Sequence, residues 1–268
     1  MLFGCVISQI KNGGAAVEEA ADVTIFGRFK YPAIVRANRA IEARTRPSVV
    51  IGVQAADTET AVKYAKHADK LSPDAIIAIP LNGGKDDAKQ MEYYAAIGEA
   101  CSAPLIVQTV GQMSVDLVLR MAKRIPTLRY AKDEAGVTLA RLTEYQKRGQ
   151  ILQGVFTGKH GPTFVDDLAR GAIGNMPAAG FADLYVAVWE AWNAGKKDEA
   201  LDMFSKTLLL IADAQAYGVP GQKYILQLRG VFPNSKCRGE AAATTVFDDE
   251  ARDAIRRTVG YAKRWFQA

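Results

Sequence analysis

The sequence predicts an α/β fold, a TIM (β/α)8 barrel with a C-terminal helical extension. Three observations carry this. Short apolar runs alternate with amphipathic segments through the middle of the chain, eight such runs can be counted, and after Gly180 the pattern turns wholly helical. Hydrophobic residues make up 49% of the 268, enough for a sizeable core.

The first 47 residues offer two candidate strands, "MLFGCVIS" (1–8) and "VTIF" (23–26), and a helix "PAIVRANRAIEAR" (32–44) with Pro32 in its first turn. Six further runs follow: "SVVIGV" (48–53), "AIIAIP" (75–80), "PLIVQTV" (104–110), "LRYAKDE" (128–134), "ILQGVFTG" (151–158) and "GAIGNMP" (171–177). They are too short for helices and rich enough in β-branched residues to be buried strands. Between them lie helix patterns. In "DTETAVKYAKHADKL", Asp57 or Thr58 can cap, and Ala61, Tyr64, Ala65 and Ala68 share one face; "SVDLVLRMAKRI" is opened by Ser114. Strand and helix in repetition mean right-handed parallel βαβ units. A doubly wound open sheet is the alternative, disfavoured because no Gly-rich phosphate fingerprint follows an early strand.

Beyond Gly180, "FADLYVAVWEAWNAG" reads as the helix that closes the barrel. "KDEALDMFSKTLLLIADAQAYG", "GQKYILQLRG" and "DDEARDAIRRTVGYAKRWF" read as an appended bundle, so the expected division is residues 1–193 for the barrel and 194–268 for the bundle.

Composition excludes several functions. The formal charge of +5 is spread over mixed surfaces, which argues against nucleic acid. Cys5, Cys101 and Cys237 form no C-x-x-C pair, so a reducing cytoplasm is expected and a disulfide framework is not. No apolar run reaches membrane length, and the start carries no export signal, so no membrane partner is expected. With only His67 and His160, a three-histidine metal site cannot be built, and no metal is expected. Chemistry is pushed toward lysine, carboxylates and backbone groups.

In a barrel, the strand C-termini build the active site. Those positions are Gln54, Pro80 to Asn82, Gln108 and Thr109, Lys132 and Glu134, Phe156 to Lys159, and Asn175 with Met176. Side chains alternate along a strand, so Tyr130, Lys132 and Glu134 face one way while Arg129, Ala131 and Asp133 face the other. A lysine in an apolar, water-poor mouth is held toward its neutral, nucleophilic form and can attack a ketone or aldehyde. The plainer reading makes Lys132 a strand-end lysine or the partner of Glu134. Glu134 itself is either an acid or base or that partner, and Gln108 either orients a substrate or packs. Asn175 and Met176 either meet substrate or form a strand-to-helix turn marked by Pro177. His160 reads as a solvated loop residue, and Trp189 and Trp192 as packing.

From about Pro47 to Pro177 the chain resembles the dihydrodipicolinate synthase and N-acetylneuraminate lyase family of Schiff-base aldolases, lyases and dehydratases. The resemblance rests on "VVIGVQAADTETAVKYAKHA", "DAIIAIP", "APLIVQTVGQMSVDL", "YAKDEAGVTLARL" and "LARGAIGNMPAAGF". It implies that Lys132 forms an imine with a 2-keto acid, with Asn175 and Met176 near the substrate carboxylate. It also implies that no cofactor is required, because the imine is the electron sink, and that the protein is a cytoplasmic homo-oligomer, a dimer or tetramer. Two family features are replaced. The tyrosine of a Tyr-Asn-x-Pro segment gives way to Gln108, which cannot be a general acid or base. The Gly-Thr-Thr-Gly-Glu segment gives way to "VTIFGRFKY", where only Gly27 matches. The expected function is a lyase acting on pyruvate or a 2-keto-3-deoxy sugar acid, by aldol cleavage, condensation or dehydration. The alternative is a non-catalytic relative that binds a keto acid.

Overall fold

The computed structural model describes residues 6–9, 48–237 and 246–266. The expected strand at 23–26 and helix at 32–44 lie outside the described residues, and of the first run only Val6 to Ser8 are described. Six strands run parallel, each beside its predecessor: β1 (Val6–Gln9), β2 (Val49–Gly52), β3 (Ala75–Ala78), β4 (Leu105–Thr109), β5 (Leu128–Asp133) and β6 (Gly154–Thr157). The two-residue β7 (Gly174–Asn175) is next in that order. Helices α1 (Thr58–Asp69), α2 (Asp87–Ala100), α3 (Val115–Arg124), α4 (Thr138–Lys147) and the short α5 (Phe164–Ala169) alternate with the strands. This sequential parallel order is that of a β/α barrel.

Local chemistry explains the helix starts. Asp57 Oδ1 accepts from the Thr60 amide at 2.7 Å, and Ser114 Oγ accepts from the Leu117 amide at 3.1 Å, each satisfying an amide that has no partner within its helix. Ala61, Tyr64, Ala65 and Ala68 form the buried stripe of α1, as their spacing predicts.

The described chain falls into two compact units. The first takes everything up to Gly158 plus Ala169–Gly174, and the second takes Lys159–Leu168 and everything from Asn175 onward. In the first unit β2 and β3 are buried on both faces, and β4, β5 and β6 over most of their length. Ile51, Ile76, Leu105, Val107, Ala131 and Val155 pack with Tyr93, Tyr94, Ile97, Leu117 and Met121 of α2 and α3. The opposite face carries the cross-strand row Ile77, Ile106 and Tyr130. One irregularity interrupts the pairing of β4 with β5. Leu105 pairs with Leu128 but Ile106 pairs with Tyr130, so Arg129 is passed over and stays exposed. Leu128 and Ala131, three residues apart, consequently lie in the same helix-side core.

The second unit has its own core. Leu184, Tyr185 and Val188 of α6 (Ala182–Asn193) pack with Phe204, Leu210, Ile211 and Ile225 of α7 (Lys197–Leu228) and with Ile255 and Val259 of α8 (Asp249–Ala262). Trp189 and Trp192 pack against it, in keeping with their reading as packing residues. The two helices expected at 197–218 and 221–230 are joined in α7. Gly218 is non-helical there (φ 53°, ψ −146°) and Pro220 donates no amide, yet residues on both sides of this break bury into one core and hold the halves together. Arg229 pairs with both carboxylate oxygens of Asp183, at 2.8 and 2.7 Å, fastening the end of α7 to the start of α6.

Candidate active site

Parallel register brings three of the expected residues together in the first unit. Gln108 on β4 is the cross-strand partner of Lys132 on β5, and Lys132 is the partner of Phe156 on β6. Partners in a parallel sheet share a face, so the three form a row. The next row, Thr109, Asp133 and Thr157, has the opposite direction and lies toward the helices, where Asp133 meets Arg141 of α4. Lys132 therefore points to the barrel interior, together with Tyr130 and Glu134. Its side chain is only 9% exposed, and its Nζ lies 3.4 Å from Glu134 Oε1. Gln108 donates from Nε2 to the other carboxylate oxygen, Glu134 Oε2. Amine, carboxylate and amide thus form one connected cluster, flanked by the Phe156 ring of the same row and the Tyr130 ring one row earlier on β5, whose centroids are 6.0 Å apart.

The polar row behind fixes this cluster. The Thr109 hydroxyl accepts from the amides of Glu134 at 3.1 Å and Ala135 at 3.2 Å, pinning the chain where β5 ends. Asp133 is fully buried and receives Arg141 Nε at 2.8 Å and Nη2 at 2.9 Å, while Arg141 Nη1 donates to the Met113 carbonyl at 2.9 Å. Burial works against the Arg141 charge, but the Asp133 carboxylate outweighs it and the guanidinium pKa is raised. The Tyr145 hydroxyl is buried beside them, and burial followed by the Asp133 charge pushes it well above the usual phenol range. Substituting Arg141→Met strips the buried carboxylate of its cation. The expected loss is about 3–5 kcal/mol of folding stability, read from urea unfolding followed by circular dichroism.

Asn175 and Met176 belong to the second unit, and both are buried. Asn175 lies against Gly161, whose φ of +56° suits glycine and where any added side chain would press on the Asn175 amide. In the same unit His160 is half-buried and not a solvated loop residue: its carbonyl accepts from Tyr185 Oη, and its Nε2 lies 3.3 Å from Gln222 Nε2. The roles of Asp133 and Arg141 escape a reading of strand ends alone. A buried acid beside a strand lysine is the one signal for both, because such an acid requires a cation.

The family model for the dihydrodipicolinate synthetase family matches residues 33–260. The chain belongs to this family. A curated family relative, the L-2-keto-3-deoxyarabonate dehydratase of Azospirillum brasilense, is 26% identical over 203 residues, covering 72% of this chain and 66% of that protein. The chain thus spans just under two thirds of the length of the first curated relatives it matches. The solved structure of the 4-hydroxy-tetrahydrodipicolinate synthase from Methylacidiphilum fumariolicum SolV superposes with TM-score 0.75 at 19% identity, covering 88% of this chain and 79% of that one. A prophage protein of the same family from E. coli K12, solved in complex with pyruvate, superposes with TM-score 0.73 at 18% identity, covering 87% and 80%. These likenesses establish the barrel with C-terminal helices as the fold. Among the described residues no helix is long and apolar enough to cross a membrane.

Proposed function

We propose that this chain is a Schiff-base-forming lyase that dehydrates a 2-keto-3-deoxy sugar acid. One observation carries the reading: a buried lysine amine with a carboxylate 3.4 Å away. In this mechanism Lys132 Nζ adds to the C2 carbonyl, and loss of water gives a protonated imine. Glu134 removes a C3 proton, and the electron pair moves into the imine to form an enamine. The enamine then expels the C4 hydroxyl, which leaves as water after taking a proton from the Glu134 carboxyl, and hydrolysis of the unsaturated imine frees Lys132.

Gln108 orients the carboxylate and transfers no proton, since an amide has no useful acidity. Dehydration is favoured over aldol chemistry because the proton-transfer group is a carboxylate on β5, while β4 carries glutamine in the place of the family tyrosine. The relative named as an L-2-keto-3-deoxyarabonate dehydratase supports the same choice. A cytoplasmic homo-oligomer is part of the same reading, and gel filtration with light scattering checks the assembly.

The test is reductive trapping. Incubation with pyruvate or L-2-keto-3-deoxyarabonate followed by borohydride is expected to leave a mass adduct on Lys132, and NMR of unreduced mixtures is expected to show loss of water from the sugar acid. No adduct with either compound would favour the keto-acid-binding relative. Cleavage to pyruvate and an aldehyde would make the enzyme an aldolase.

A further inference from the structure

We infer that Gly158 is a positioning residue whose missing side chain forms the seat of the Glu134 carboxylate, an inference that rests on Glu134 being the proton-transfer group. Gly158 follows β6 directly. Asp133 pairs with Thr157, so Glu134 and Gly158 are the next positions along the same two neighbouring strands and lie side by side where both strands end. A methyl group built on Gly158 would overlap Glu134 Oε1 and Cδ and come within 2.6 Å of Cγ. The glutamate therefore folds across the glycine. Its Oε1 also faces Lys132, and its Oε2 takes the Gln108 amide from the opposite side. The carboxylate is thus held between β4 and β6 at the height of the lysine.

The backbone does not call for glycine here. Ten described glycines have a positive φ that disfavours other residues, and Gly158 is not among them. The glycine answers to the glutamate and not to a turn. What a larger residue would meet is moreover the end of a flexible side chain and not main chain, so alanine is accommodated when the carboxylate swings away. The cost falls on the position of Glu134 and hardly on the fold. Displacement of a reacting group by about 1 Å is enough to lower turnover by about 100-fold.

Gly158→Ala tests this in the full-length protein. Borohydride trapping of pyruvate on Lys132 is expected to persist, while dehydration of L-2-keto-3-deoxyarabonate falls by about 100-fold. Introduced into Glu134→Gln, the same substitution is expected to add no further loss, because the carboxylate it displaces is already gone. A crystal structure of Gly158→Ala is expected to show the carboxylate moved from Lys132 with the β6 main chain in place. Full turnover in Gly158→Ala, an equal loss in both backgrounds, or a carboxylate that stays in place would overturn the inference. If the unsubstituted protein traps no keto acid, the proposed function fails, and the crystal comparison still decides whether Gly158 seats Glu134.

Discussion

Replacing Lys132 with alanine is expected to abolish the borohydride adduct with pyruvate and with L-2-keto-3-deoxyarabonate, and to lower dehydration by roughly 10⁵-fold, the scale on which covalent nucleophiles act. The size follows from what the imine does. A 2-keto acid holds its C3 protons tightly, and the positive imine nitrogen is the only proposed electron sink. Without the amine, Glu134 faces a substrate it cannot deprotonate at a useful rate. Lys132→Arg is expected to fare no better, because a guanidinium stays protonated and is not a nucleophile. Mass spectrometry of the reduced protein reads the adduct directly. An adduct of unchanged yield in Lys132→Ala would move the imine to another lysine and remove the basis of the proposal.

Glu134→Gln is expected to separate imine formation from proton transfer. The amide keeps the shape of the carboxylate and can still meet Gln108, but it neither takes nor gives a proton, so turnover is expected to fall by roughly 10²–10⁴-fold. The adduct on Lys132 is expected to remain and to accumulate, since the step that consumes it is slowed. Stopped-flow mixing followed by reduction at set times measures that accumulation. Equal turnover in Glu134→Gln and the unsubstituted protein would show that the proton moves through another group, and Glu134 would then be only the ion-pair partner of Lys132.

The fold was legible where periodicity and caps agree. Buried apolar runs named the strands from Val49 to Asn175, and Asp57 or Thr58 and Ser114 named two helix starts, the first of which the structure gives to Asp57. Strand parity put Lys132 and Glu134 on one side, and the register with Gln108 bears that out. What sequence could not supply were relations between distant positions. Thr109 pins two amides some 25 residues later, Arg141 crosses from α4 to Asp133, and Gly158 matters for what Glu134 does with the space beside it. Each depends on register and packing, which composition does not encode. The join at Gly218 and Pro220 was hidden for a related reason. Both residues argue locally for a break, and only the shared core on either side overrides them.

The irregular pairing at Arg129 has a mechanical consequence. Were it ironed flat, counting on from Leu105 and Leu128 would set Lys132 opposite Thr109 and turn its amine into the helix layer. Because the surplus residue is absorbed there, the anchorage of β5 and its working end keep separate registers with β4. Leu128 belongs to the anchorage, tied to the connection before it through the Ile125 carbonyl. The frame that carries Lys132 and Glu134 starts only at Tyr130. The Arg129 carbonyl accepts from the Gln153 amide at 2.8 Å, so the surplus residue is itself fastened to the chain that leads into β6.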